Sequence, residues 1–159
     1  MHQRFVVAMG ALLACVLALA LPGGPAGAQS NDPLTKNTKD PRMIATQIKS
    51  ALPLAERGYA MLVSTMDPEP TASAVELLLT SYRYLRAAYQ SNDLIISTTR
   101  IPDPLLELEN RHIMFVRQRL LDCTGNREYL SDSGHIRTTC IEGLAQGLRT
   151  LRTLAATQP

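Results

Sequence analysis

The stretch Asp103–Cys123, DPLLELENRHIMFVRQRLLDC, decides the fold. It opens on Asp-Pro. The carboxylate can accept hydrogen bonds from the first-turn N–H groups of a helix, and proline suits the first helical position, where its missing N–H has no partner anyway. Leu105, Leu108, His112, Phe115 and Val116, with Leu106, Ile113 and Leu120, then recur at helical spacing and cover more than half a circumference. The stretch ends on a cysteine, and Gly125 just beyond it is a natural helix stop.

The same start signal occurs at Asp40-Pro41 and Asp67-Pro68. From Pro41 to about Met66, the residues Ile44, Ile48, Ala51, Ala55, Tyr59, Leu62 and Met66 form a one-sided stripe. Pro53 falls inside it, which predicts a kink or break near Ala51 and Leu52. A second helix is expected over about 70–91, with Ser73-x-x-Glu76 as a capping box and a stripe of Val75, Leu78, Tyr82, Leu85 and Tyr89. Leu77, Leu79 and Tyr84 widen that stripe. Leu94 to Ile101 is ambiguous: its β-branched residues suit an extended connection, yet an isolated strand has nothing to pair with.

A fourth helix, about 135–155, places Ile136, Cys140, Leu144, Leu148, Leu151 and Ala155 on one face, after a polar loop with capping candidates Ser131-Asp132-Ser133. Gly143 and Gly147 share a face of it and permit close approach of another helix, within the core or across a dimer. The expected architecture is all-α, an up-down four-helix bundle over 41–155 with a short tail at 156–159.

Upstream of the bundle the chain has the pattern of an export signal. Arg4 precedes the apolar run Phe5–Leu21, Pro22-Gly23-Gly24-Pro25 breaks any helix, and Ala26-Gly27-Ala28 is a small-x-small cleavage pattern. Residues 1–28 therefore read as a secretory signal peptide and 29–40 as a polar lead, with a mature start at Gln29. Two other readings stand beside this one. Leu12-Leu13-Ala14-Cys15 fits a lipoprotein acylation pattern, although the apolar run continues past Cys15. The run could also stay as an uncleaved anchor, at the lower edge of spanning length. After cleavage no further stretch approaches that length, and the expected location is periplasmic or secreted.

Cleavage takes Cys15 and leaves Cys123 and Cys140. An even pair in an exported domain forms a disulfide, and closing the loop between them stabilises the fold by about 3 kcal/mol. The bond would staple helices three and four. The spacing excludes Cys-x-x-Cys redox chemistry and c-type haem attachment.

The chain of 159 residues has a formal net charge of +2, which falls by one with Arg4. So even a balance gives no whole-molecule reason to bind nucleic acid or an acidic membrane. Arginines crowd the last third, a pattern of solvated helix faces rather than an anion-binding surface.

Chemistry-bearing groups are few. Glu109 and His112, at i and i+3, are the best metal candidates, because such a pair can ligate one ion; a second Glu-x-x-His is missing. A haem bundle would need His112 with Met43, Met61, Met66 or Met114. There is no Gly-x-Ser-x-Gly, no phosphate-binding glycine loop and no His-Glu-x-x-His. Ser131 and Ser133 beside His135 read as loop caps, and Glu107 and Glu109 point to different sides of one helix. What remains is surface recognition: Tyr82, Arg83, Arg86 and Tyr89 put aromatic and guanidinium groups, both enriched at binding hot spots, on helix two. They would equally serve as core-edge tyrosines and solvated arginines. The expected function is an exported, non-enzymatic helical domain without cofactor, binding a protein partner or a cell-envelope component. The alternative is a small-ligand bundle holding a metal or haem around His112.

Overall fold

Asp40 and Asp103 cap the first and third of the four α-helices among the described residues. Asp40 Oδ1 accepts from the Arg42 N–H at 3.0 Å, and Asp103 Oδ1 accepts from Leu105 and Leu106 at 3.0 and 3.3 Å. The computed structural model describes residues 32–64, 71–101, 103–124 and 135–159, with side chains of the last segment from 139 onward. A 3-10 turn, Pro33–Thr35, precedes helices α1 (Pro41–Ser64), α2 (Ala72–Thr98), α3 (Pro104–Asp122) and α4 (His135–Thr157). The signal segment, Asp67-Pro68, Gly125 and the Ser131–Ser133 caps lie outside the described residues. Among those described, no helix is long and apolar enough to cross a membrane.

The helices pack in a ring, α1 on α2, α2 on α3, α3 on α4 and α4 back on α1, as an up-down bundle. Ile48, Leu78, Leu85, Ile113, Leu120, Leu144, Leu148 and Leu151 are its largest fully buried apolar side chains. Cys123, the C-cap of α3, is bonded to Cys140 in the second turn of α4, so the expected staple is present.

Four expectations need correction. α1 continues through Pro53, so of the expected kink or break the break is absent; Pro53 and Lys49 are both exposed, and solvent can satisfy the Lys49 carbonyl left without a partner. Thr71 rather than Ser73 caps α2: its hydroxyl accepts from the Ala74 N–H at 3.2 Å. The ambiguous segment is helical to Thr98, because Ile95 packs against the core and Thr98 and Thr99 bond back to turn carbonyls.

The fourth concerns which faces are buried. The buried line of α2 is Ala74, Leu78, Ser81, Leu85, Ala88 and Asn92, with Tyr82 and Tyr89 on its flank. Small residues there let α1 approach closely. On α3 the buried line is Asn110, Ile113, Val116 and Leu120, whereas Leu105, Leu108 and His112 are exposed. For Leu105 and Leu108 the cause is length: α4 ends opposite Glu109, where Gln158 donates to that carboxylate, so the first turn of α3 has no α4 turn beside it. His112 instead lies about 100° round α3 from buried Ile113.

Candidate functional site

Helix α2 runs through the bundle with one flank against α1 and the other against α3. On the α1 flank the polar lead lies as a strap. Tyr84 donates to Asp32 Oδ2 at 2.8 Å, the Thr38 N–H donates to Ser91 Oγ at 2.9 Å, and Gln47 Nε2 donates to the Lys36 carbonyl at 2.8 Å. Below the strap, Ser81 donates to the Ala51 carbonyl at 2.9 Å. The bond to Asp32, with burial and the charge of that carboxylate, holds the Tyr84 phenol above its ordinary pKa of 10.0. Further along this flank a surface groove of about 340 Å³ is lined by Leu54, Arg57 and Met61 of α1 and by Ser73, Glu76, Leu77 and Thr80 of α2.

The α3 flank is built differently. Tyr82 and Tyr89 stand seven residues apart, hence on one line of α2 and about 10 Å from each other along the axis. The Arg117 guanidinium of α3 lies 5.1 Å from one ring centroid and 5.0 Å from the other, so it sits between them. Arg117 Nη2 donates to the Tyr82 hydroxyl at 3.2 Å. No carboxylate pairs with Arg117 among the described residues, and its buried Nε has no acceptor. One turn to either side on α3 are exposed Met114 and half-buried Leu121. Two turns before Arg117 on the same line is buried Asn110, whose carbonyl oxygen is also without a donor.

Of the four residues expected to form a recognition face, three share this flank. Tyr82 and Tyr89 are half-buried there, and Arg86, exposed, sits between them at i+4 and i−3. Arg83 is about 60° further round, on the outward surface of α2. The sequence reading missed Arg117 and Asn110. Their seven-residue separation along the edge of the α3 apolar stripe was the available signal, but nothing in the sequence says which helix meets that edge.

The metal candidates stand apart. Glu109 Oε1 accepts from Asn92 Nδ2 at 2.7 Å and Oε2 from Gln158 Nε2 at 2.9 Å, while His112 is exposed. Among the described residues no group of three His, Cys, Asp or Glu is placed to hold a metal ion. Met114, two residues from His112, is about 160° away round α3, so the two cannot ligate one iron. Met43 and Met61 are half-buried on α1, and Met66 lies outside the described residues, as do the side chain of His135 and both Ser131 and Ser133.

The glycine face of α4 is occupied from within. A Cβ on Gly143 would stand 3.3 Å from Arg119 Cδ, and one on Gly147 3.1 Å from Arg119 Cβ. Arg119 therefore lies across both glycines, with its guanidinium 5.1 Å from the Phe115 ring and paired to Asp122 at 3.3 Å. Close α3–α4 packing accounts for both glycines. The chain matches no protein-family model, no curated protein and no solved structure.

Proposed function

We propose that this is an exported, non-enzymatic helical domain that binds a protein partner through the α2–α3 flank. The observation that supports it most is the placement of Arg117 between Tyr82 and Tyr89 with no acidic partner among the described residues. A guanidinium held by two aromatic rings has lost its conformational freedom before any ligand arrives, which favours tight recognition. Arg86 and Met114 add exposed groups of the types enriched at hot spots. The disulfide is compatible with folding in an oxidising compartment, and the signal pattern of residues 1–28 carries the export part of the reading.

Photo-crosslinking in the native host tests the surface. A crosslinker replacing Met114 should give one discrete protein adduct, and crosslinkers at Thr46 or Arg149, exposed on α1 and α4, should not. Equal labelling from all three positions, or none from Met114, overturns the reading. Intact mass of the exported product should begin at Gln29; a lipid-modified chain starting at Cys15, or a full-length membrane-bound chain, overturns the cleavage.

A further inference from the structure

We infer, on the footing of that partner-binding reading, that the α2–α3 flank takes an acidic segment of the partner, a carboxylate entering beside Arg86 and Arg117. The flank holds two guanidinium groups that no carboxylate neutralises among the described residues. The acidic groups of both helices are accounted for. Glu76 of α2 faces the groove against α1, and Asp93 lies two turns beyond Arg86, about 10 Å along the axis and out of pairing reach. On α3, Glu109 is held by two amides and Asp122 by Arg119 and Gln118. Glu107 is exposed in the first turn of α3, nearly three turns before Arg117.

Donors are also ready. The Tyr82 hydroxyl accepts from Arg117, so its own O–H is free to donate outward. A carboxylate here would take charge-assisted bonds from Arg86 and Arg117 and a neutral one from Tyr82. The rings and Met114 would exclude water around it, as the rim of a hot spot does. An anionic membrane does not fit the same surface. Lipid-binding patches use four to eight clustered basic residues, and this flank has two, one on each helix.

The probes are hexaglutamate and hexaglutamine, titrated into the mature, oxidised, isotope-labelled protein while the Arg86 and Arg117 Nε–H signals are followed. Hexaglutamate should give saturable shifts confined to the α2–α3 flank, with affinity at least about tenfold above that of hexaglutamine. Arg86→Gln should weaken it by about tenfold, and Arg83→Gln by less than about twofold. Arg117→Met should abolish the shifts at Arg86 in protein whose melting transition is unchanged. Equal affinity for the two peptides, or equal losses from Arg83→Gln and Arg86→Gln, overturns the inference. So does preferential, Arg86-dependent binding to phosphatidylglycerol vesicles. Failure of the two readings can be told apart. A Met114 adduct without hexaglutamate discrimination removes the acidic chemistry and leaves the partner surface; hexaglutamate discrimination without an adduct removes the protein partner.

Discussion

The two flanks of α2 differ in how they treat polar groups. Toward α1, the Tyr84 hydroxyl, Ser81 Oγ and Ser91 Oγ each have a partner, and Gly58 sits so close to Leu78 that no side chain could be added. Toward α3, Arg117 Nε, Asn110 Oδ1 and Asn92 Oδ1 are buried without partners among the described residues, against one such group, Gln47 Oε1, beneath the strap on the α1 side. Folding alone favours the first arrangement, since an unmet buried polar group costs about 1–3 kcal/mol. Departures from full satisfaction concentrate at functional or strained sites, so unmet groups gathered along one helix–helix edge mark that edge as the one to test. The difference teaches that both flanks bury apolar side chains, with Ile113, Val116 and Leu120 of α3 in the core, but that the α3 flank leaves more polar groups unmet, which is the feature the proposed partner surface rests on.

The largest expected effect is that of the covalent tie on the far side of α3. Cys123–Cys140 ties it to α4. Reduction, or Cys123→Ser with Cys140→Ser, should cost about 3 kcal/mol in urea unfolding while the helical circular dichroism persists, because the bond chiefly constrains the unfolded chain. A loss below about 0.5 kcal/mol would show that the bond does not constrain the unfolded chain as its loop length requires.

Next comes Gly58→Val on the closed flank. A Cβ there would stand 2.7 Å from Leu78 Cδ2 and 2.8 Å from Leu78 Cγ, with the Ala74 carbonyl at 3.3 Å. Leu78 is fully buried and cannot swing aside, so overpacking outweighs the gain in helix propensity. The expected loss is about 2 kcal/mol in chemical denaturation.

Tyr84→Phe should cost about 1 kcal/mol, the value of one bond to a half-buried carboxylate that water can partly replace. Its signature is the pH dependence. The folded phenol titrates above 10.0, the ordinary value, so the folded state holds its proton longer than the unfolded state does. The stabilisation is complete below pH 10.0 and is lost as pH rises through the folded value. Melting temperatures of wild type and Tyr84→Phe, compared from pH 8 to 11, should therefore converge at the alkaline end. A constant difference would show that Asp32 does not govern this hydroxyl.

The bundle was legible because each helix carries its own period and the Asp-Pro starts at 40 and 103 are local devices. The cysteine pair was legible because an even number of cysteines in a chain expected to be exported is enough to predict the bond. The burial of α3 was not. Leu105 is 76% exposed although its spacing looks like core, because the missing cover depends on where a different helix ends. Tyr82, Arg86 and Tyr89 could be grouped from one helix, yet Arg117 joins them only once the α2–α3 register is fixed. Gln158 and Asn92 on Glu109 are of the same kind, joining three helix ends that no local pattern relates.

The smallest expected effect is the most discriminating. Arg117→Met replaces an unpaired guanidinium by an apolar chain of similar length. Lost are two cation–π contacts, about 0.5–1 kcal/mol each, and one hydrogen bond of about 1 kcal/mol to Tyr82. Recovered is the cost of the orphaned Nε, about 1–3 kcal/mol, together with sulfur–aromatic contact to the same rings at about 0.3–1.5 kcal/mol. The terms nearly cancel, and thermal and urea unfolding should place the variant within about 0.5 kcal/mol of wild type, in either direction. No buried carboxylate is stranded by the change, which is why it differs from breaking a buried ion pair. A loss above about 1.5 kcal/mol would make Arg117 a strut of the fold, and the two flanks of α2 would then be alike in kind.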